Sequence, residues 1–377
     1  MADLAKIISD KLDDGSVTSF VNDARAGFSM TMPDGSTVNY VGARYLPLVN
    51  RENAFDEDGI YFRSIIAYDA TRYAPVVPRG GMESEPVSVR LRTNDTGAQL
   101  TGRDYDVIVQ LSRLNRIDGV ERILQDFLQT QIVKPLNDII EKQRWQAIAD
   151  GLVKRRGDSG YYEDVAYANP AGHRVTVGSG TNAVPAGWYD PNYSILNDIF
   201  SMADTMGTVT DIVTSRRIVS LISMNKEVKA YGGLSIVNAQ GVQQTLAGRA
   251  LTEQINNIMQ ANSLPPITVH EAKYEQLDGT QVRYLRDTAF VMLNTSSLDS
   301  TVVSDRPELI TPTTLGFVGN GIATSQTTNG KAVYLRVNGN RKSPNVEAEG
   351  TQVTLPLLRN AEGRQRLGVF NIPAKAA

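Results

Sequence analysis

The side chains that most often carry catalysis are scarce in this sequence. It contains no cysteine, which excludes thiolate nucleophiles, disulfides, zinc fingers and iron–sulfur clusters. Its two histidines, His173 and His270, lie far apart in the chain, so a metal site built from several histidines is excluded. His270 follows the alternating residues Ile267 and Val269, and we expect it to be an ordinary residue at the edge of a sheet. We expect His173 to lie in a loop.

Motifs for nucleotide or metal chemistry are also missing. A phosphate loop is excluded because Gly330-Lys331 is followed by Ala332 rather than by a hydroxyl residue. The acidic run Asp56–Asp58 favours a solvated loop, with a cation site as the alternative. Trp145 and Trp188 are expected to be packing residues. The sequence therefore predicts no catalytic residue, no metal ligand and no cofactor.

Length and composition describe an ordinary folded protein. The chain has 377 residues, of which 41% are hydrophobic and 21% charged, and its formal net charge is −3. This length predicts two or three domains, or one domain with large insertions. No run approaches the roughly 20 apolar residues of a membrane span, and the first residues do not resemble a signal peptide. These features favour a protein of cytoplasmic origin without a global basic surface for nucleic acid.

The basic residues are distributed unevenly. Arginines greatly outnumber lysines, and no lysine occurs between residues 12 and 133. Arginine makes bidentate, partly desolvated contacts and is enriched at protein interfaces. A general bias of the sequence toward arginine is the alternative. The interface interpretation nominates a set of intersubunit contact residues: Arg63, Arg72, Arg79, Arg90, Arg92, Glu83 and Glu85.

Two segments in the first third need an external surface to lie on. After an amphipathic helix predicted at residues 3–13, the chain is irregular to about residue 59, which is long for a connection within a compact domain. Strands are predicted at 60–68 and 86–93 with an irregular tip between them, and a third strand at 106–112. A long polar hairpin is not stable alone in water.

The strongest periodic pattern predicts one very long helix. Apolar residues recur at three- and four-residue spacing across residues 119–150, after a capping box at Asp118 and Glu121 and before a stop at Gly151. Pro135 should bend this helix or loosen one turn. The alternative is a pair of helices broken at Lys134.

The second half predicts an α/β lobe followed by returning strands. Helices are expected at 195–206, 215–226 and 248–260, and strands at 211–214 and 289–293. A hairpin is expected from 267–270 to 282–285 around the turn Asp278-Gly279. The last segments, 331–337, 351–358 and 366–371, read as strands.

The order of these elements resembles the major capsid proteins of tailed bacteriophages, which have the Hong Kong 97-type fold. Two segments, SRRIVSLISMNKEVKAY and LPPITVHEAKYEQLDGTQVRYLRDTAFVMLN, look like the pattern of the lambda-type major head protein family, and TPTTLGF and TLPLLRN fit its end. The resemblance implies an α+β fold with an N-terminal arm, a long two-stranded E-loop, a spine helix, a peripheral (P) domain and an axial (A) domain.

Applied to this chain, the resemblance implies five regions. They are an arm at 1–58, an E-loop hairpin at 59–116, the spine helix and start of the P domain at 117–190, the A domain at 191–300, and a return to the P domain at 301–377. It implies a non-enzymatic subunit of the virion, assembled in the host cytoplasm.

The expected partners follow from the same resemblance. They are further copies of the chain in hexamers and pentamers, a separate scaffolding protein, a cement or decoration protein, a portal, and packaged DNA contacted without sequence specificity; no membrane is expected. Some members of the fold crosslink an E-loop lysine to an asparagine of a neighbour. Because residues 59–116 contain no lysine, we predict no such crosslink.

Two other functions remain open on the sequence. An encapsulin-like nanocompartment shell shares the fold, and its genomic neighbours would include a cargo enzyme rather than a terminase and a portal. A carboxylate-based hydrolase needs only Asp and Glu, so the lack of cysteine and the scarcity of histidine do not exclude it.

Overall fold

The computed structural model describes residues 29–62, 82–156, 162–167, 172–178, 187–231, 235–237, 243–245, 249–276, 278–295, 302–303, 315–323, 326, 329–338, 345–358 and 366–373. The helix predicted at 3–13 lies outside these ranges. The chain divides into two compact units. The first contains residues 1–144, 298–311 and 317–357, and the second contains 145–297, 312–316 and 358–377. No helix among the described residues is long and apolar enough to cross a membrane.

The strands are numbered here in chain order. They are β1 (Ser29–Thr31), β2 (Thr37–Asn39), β3 (Leu48–Asn50), β4 (Ala54–Phe62), β5 (Met82–Arg90), β6 (Arg92–Thr101), β7 (Leu152–Arg156), β8 (Tyr162–Ala166), β9 (Arg174–Thr176), β10 (Asp211–Thr214), β11 (Ser235–Val237), β12 (Gln243–Thr245), β13 (Ile267–Val269), β14 (Lys273–Glu275), β15 (Gln281–Arg283), β16 (Ala289–Leu293), β17 (Val302–Val303), β18 (Gly316–Asn320), β19 (Lys331–Asn338), β20 (Asn345–Leu358) and β21 (Leu367–Asn371).

The helices are numbered in the same way. They are α1 (Arg103–Arg113), α2 (Ile117–Leu128), α3 (Lys134–Trp145), α4 (Ile195–Met206), α5 (Arg216–Met224), α6 (Lys226–Tyr231) and α7 (Thr252–Ala261). Two π-helical turns, Gln129–Val133 and Gln146–Asp150, follow α2 and α3 directly.

The first unit is built on a sheet whose central strand is β20. This 14-residue strand pairs antiparallel with β19 on one side and with β6 on the other, and the sheet continues through β18 to β3, which is parallel to β18. Leu128, Ile132 and Leu136 of the helical run pack on Ala348 of β20. A Cβ atom on Gly350 would lie 2.3 Å from Ile132 Cγ2, so the glycine permits the close approach of helix and sheet.

The long helix is a single helical run, and the first of its two π-turns lies at the place where a loosened turn was predicted. Residues 117–150 are helical without a break, and the π-turn Gln129–Val133 ends immediately before Lys134 and Pro135. Proline lacks an N–H and its ring crowds the preceding turn; here Lys134 N bonds Gln129 O, five residues back. Gly151 ends the run with a φ of +65°, as its position predicted.

Two predictions beside this run are wrong. The strand predicted at 106–112 is part of helix α1, because Tyr105, Ile108 and Ser112 are buried at helical spacing, and this packing overrides the β preference of its valines. The capping box is also absent: Arg116 is the N-cap and makes no side-chain cap bond. The helix start is set instead by the backbone turn at Asn115, whose φ is +51°.

The second unit contains a mixed five-stranded sheet in the order β13-β10-β16-β21-β9. Its core joins Ile199 and Met202 of α4 and Ile222 of α5 to Phe290 and Phe370 of the sheet. All five residues of β16 are buried, in agreement with the unbroken apolar run. The predicted bounds of α4, β10 and β16 are confirmed.

The hairpin predicted at 267–285 is wrong in one of its strands. The turn at Asp278-Gly279 is present, but it connects β14 to β15. Residues 267–269 instead form β13, which is parallel to β10 and lies at the edge of the main sheet. A three-residue strand has too few positions for its pattern to identify its partner.

Candidate functional site

One feature of the first unit is a ribbon formed by β4 and β5. Nine antiparallel residue pairs run from Ala54↔Arg90 to Phe62↔Met82. At about 3.4 Å per residue, the paired part is about 30 Å long. The run Asp56–Asp58, predicted to be a loop, lies in β4. Of the tip predicted between the strands at 60–68 and 86–93, residues 69–81 lie outside the described residues and 82–85 belong to β5.

The base of the ribbon is anchored by aromatic and apolar contacts. The rings of Phe55 and Phe317 are stacked with centroids 6.4 Å apart. The guanidinium carbon of Arg51 lies 5.9 Å from the Phe55 centroid and 5.3 Å from that of Phe317. Val89 is buried, and Leu91 N donates to Asn53 O over 2.9 Å. This end of the ribbon is therefore fixed to the body of the first unit.

The predicted contact residues fall in three places. Arg63, Arg72 and Arg79 lie outside the described residues. Glu83 and Glu85 are in β5, where they pair in register with Tyr61 and Gly59. Arg90 is exposed at the ribbon base, and half-buried Arg92 opens β6 and donates from Nη1 to Arg90 O over 3.0 Å. Four of the seven predicted contact residues therefore lie within the described stretch 83–92, in β5 and at the start of β6.

A second feature is the contact between residues 30–46 and one face of the long helix, which we call the arm–helix contact. Tyr40 Oη donates to Asp138 Oδ1 over 3.0 Å, and Gly42 N donates to Glu141 Oε1 over 2.7 Å. Arg144 Nε donates to Leu46 O over 2.9 Å. The irregular segment predicted to lie on another surface therefore lies, in its described part, on a helix of the same chain.

The arm–helix contact is a buried ionic site. Arg144 and Glu141 form an ion pair of 3.1 Å with both side chains fully buried. Burial lowers the pKa of Arg144, while Glu141 opposes this. Burial, and then the charge of Asp138, raises the pKa of Tyr40. Burial and Arg144 together lower the pKa of Lys331 to about 8. Breaking such a pair on one side leaves a buried charge uncompensated, which is strongly destabilising.

Sequence reasoning missed these polar residues. Asn137, Asp138, Glu141 and Arg144 recur at three- and four-residue spacing beside the apolar stripe, yet polar positions of an amphipathic helix ordinarily face solvent. The sequence did carry one indication, because these polar residues form a stripe directly beside the apolar stripe of the helix. Such polar residues lie close to whatever the apolar stripe packs against.

The structure shows what surrounds the histidines and tryptophans. His270 is buried and packs on Trp145 with ring centroids 5.0 Å apart; burial lowers its pKa to about 4. Burial, and secondarily Arg174, lowers the pKa of His173. Trp188 is buried and donates to Asp198 over 2.9 Å. Within the described ranges, no group of three or more His, Asp or Glu residues could hold a metal ion.

Comparisons with known proteins give similarity in structure only. No family model and no curated protein matches the chain. A structure described as a prophage capsid protein of Escherichia coli CFT073 has a TM-score of 0.56 and 12% identity, over 95% of this chain and 98% of that one. A phage-related protein of Bordetella bronchiseptica RB50 has a TM-score of 0.45 and 14% identity, with coverages of 95% and 96%.

The chain has the Hong Kong 97-like capsid fold. The similarity to the prophage protein covers nearly the whole of both chains, so it concerns the complete order of elements rather than one motif. The SrpI encapsulin of Synechococcus elongatus PCC 7942 is also similar, with a TM-score of 0.41 and 11% identity over 89% of this chain and 87% of that one. The resemblance expected from the order of elements is confirmed for the fold.

Proposed function

We propose that this chain is the major capsid protein of a tailed bacteriophage and assembles into an icosahedral shell around packaged double-stranded DNA. The observation that carries the proposal is the capsid fold over nearly the full length of the chain. The step from fold to function is an analogy. The ribbon supports it on physical grounds.

Apart from its anchored base, the ribbon is paired by only one further strand among the described residues. Beyond β4 and β5, the described strands add β17, which pairs with Asp58 and Gly59 alone. A two-stranded ribbon is at best marginally stable in water. A neighbouring subunit would supply the missing surface, and repeated heterologous contacts of this kind close into rings.

We propose that Arg63, Arg72, Arg79, Arg90, Arg92, Glu83 and Glu85 contribute to these contacts, as the arginine distribution suggests. The five regions from arm to returning P domain are likewise proposed. Of the A domain proposed at 191–300, residues 191–297 fall within the second compact unit. The proposed subunit is a structural protein of the virion rather than an enzyme.

Sedimentation velocity and negative-stain electron microscopy test the proposal. The full-length chain is measured alone and with any scaffolding protein encoded beside it. We expect rings or megadalton shells in at least one sample, and a small species in both would contradict the proposal. The particle contents separate the two shell functions, because double-stranded DNA indicates a virus and a protein cargo indicates a nanocompartment.

A matched pair of charge reversals tests the contact residues. Arg90→Glu changes an exposed residue at the ribbon base, and Arg122→Glu changes an exposed residue of α2 outside the ribbon. We expect Arg90→Glu to reduce the yield of shells several-fold and Arg122→Glu to leave it unchanged. Equal yields from the two variants would remove the ribbon base from the proposed interface.

The shells are predicted to be held together without covalent crosslinks between subunits. The ribbon region 59–116 has no lysine to supply an amine. We therefore expect mature particles to give a single band at the mass of one subunit on a denaturing gel. A ladder of higher bands would contradict this prediction.

A further inference from the structure

A polar cleft lies within the second unit, at the end of the long helical run. Its volume is about 380 Å³, within the range of small-ligand sites. The lining combines the last helical residues with parts of β7, β9 and β21, and its charged members are Asp150, Lys154, Arg174 and Arg286.

Two guanidinium groups in the cleft cap the C-terminus of the helical run. Arg174 Nη2 donates to the carbonyl oxygens of Ala147 and Ile148 over 3.1 and 2.9 Å. Arg286 Nη2 donates to Ala149 O over 3.2 Å, and its Nε lies 3.1 Å from Asp150 Oδ1. Cations at this end of a helix are favoured by its dipole.

Helix capping does not account for all of the positive charge. Three cations, Lys154, Arg174 and Arg286, and one carboxylate, Asp150, line the cleft, which gives its lining a formal charge of +2. Asp164 lies opposite Lys154 in β8, outside the lining, and its carboxylate is paired with Arg156. The helix C-terminus offsets the charge of the lining by only about half a charge. Lys154 is exposed on β7 and brings a further cation to the cleft beyond the two capping arginines. Burial lowers the pKa of Arg174 to about 10; Asp150 opposes this shift and Arg286 adds to it.

We propose that this cleft binds a phosphate-type oxyanion. Guanidinium groups present forked donors that match tetrahedral oxyanions, and lysine supplies a mobile point charge. An anion of one or two charges would neutralise the cleft. The cavity has room for a nucleoside phosphate as well as for free phosphate, so the same chemistry could be supplied by a free anion or by a phosphodiester of nucleic acid. The proposal does not depend on the capsid function.

Phosphate binding is tested by calorimetric titration of the full-length chain at constant ionic strength. The variant Lys154→Gln removes one cation without touching the helix cap, and Lys273→Gln removes an exposed lysine of β14 outside the cleft. At a few ångströms in a high-dielectric site, one charge changes affinity by about five-fold. We expect that weakening for Lys154→Gln and unchanged affinity for Lys273→Gln.

The unfolding midpoint gives a second readout. Phosphate should raise the unfolding midpoint more than chloride does in the parent chain and in Lys273→Gln. The difference between the two salts should be smaller in Lys154→Gln. This comparison separates binding from the general salt effect of phosphate. A short DNA oligonucleotide that displaces phosphate would identify a phosphodiester as an accessible source, and failure to displace it would indicate a free anion. Absence of phosphate binding, or equal affinity in the two variants, would overturn the proposal.

Discussion

At the scale of single residues, Gly42 is the tightest point of the arm–helix contact. A Cβ atom there would lie 2.9 Å from Glu141 Oε1 and 3.0 Å from Oε2. Gly42→Ala would therefore displace the carboxylate that accepts from Gly42 N and pairs with Arg144. Loss of a buried hydrogen bond to a charged group costs about 2 kcal/mol. We expect the free energy of unfolding of Gly42→Ala, measured by urea denaturation, to be about 2 kcal/mol lower than that of the parent chain.

Gly97→Ala is the matched control for this substitution. Gly97 lies in β6, and the nearest atom to its added Cβ would be Ala348 O at 3.8 Å, an ordinary contact. Alanine is slightly favoured over glycine within a strand, so this variant should be neutral or slightly stabilised. If the two variants lost equal stability, the close packing of Gly42 on Glu141 would not be the cause.

Burial of His270 makes the stability of the chain depend on pH. Its pKa is lowered from 6.5 to about 4 by burial, so the unfolded chain takes up a proton in a range where the native chain does not. Stability from this residue is therefore complete above pH 6.5 and decreases as the pH falls toward 4. The loss approaches about 1.4 kcal/mol per pH unit.

The comparison with His270→Gln isolates this effect from the carboxylates. Both proteins share the other titrating groups, so only the parent chain should lose the additional stability, about 2–3 kcal/mol between pH 7 and pH 4.5. Urea unfolding at the two pH values measures it. Parallel pH profiles would mean that His270 is protonated in the native state as readily as in the unfolded state.

At the scale of elements, the spacing of the long helix and the first sheet depends on Gly350. Its missing side chain admits Ile132, whose Cγ2 would lie 2.3 Å from an added Cβ. Gly350→Ala should destabilise the chain by about 1–3 kcal/mol through overpacking. Ile132→Ala alone should cost about 2–5 kcal/mol by leaving a cavity.

The double variant distinguishes overpacking from a general defect of the strand. In the double variant the methyl group added at position 350 occupies space that truncation of Ile132 vacates, so the losses of the two single variants should sum to more than the double variant loses. The coupling expected for residues in contact is about 0.5–3 kcal/mol, measured by a urea double-mutant cycle. Simple additivity would show that the two positions do not compete for the same space.

The sequence predicted elements well where one pattern persisted over many residues. The helical run 117–150 and α4 were predictable because each is buried along one consistent face, and β16 because its apolar run is buried throughout. Helix α1 was not, since its valines favour a strand and only packing reveals its helical face. The partner of β13 and the arm–helix ionic pair depend on residues distant in the chain, which local periodicity does not encode.

At the scale of the whole molecule, the order of arm, ribbon, long helix and lobe was sufficient to predict the fold. Each of these elements is common by itself. A polar ribbon followed by so long a helix, however, presents surfaces that the described part of one chain covers only in part. The contact residues remain a prediction, because residues that serve an interface between copies leave no periodic pattern in the sequence. The charge distribution was the available guide.

Shortening the ribbon separates assembly from folding. Phe62 pairs with Met82 at the end of the described ribbon, so replacing residues 63–81 by Asn-Gly closes it with a favoured two-residue hairpin turn. The anchored base, with Phe55 and Phe317, is untouched. If the tip serves contacts between subunits, the variant should unfold within about 0.5 kcal/mol of the parent chain, as surface changes usually do, yet form no shells in sedimentation. Shells of normal yield would show that residues 63–81 are dispensable for assembly, and a large loss of stability would show that they fold against their own subunit.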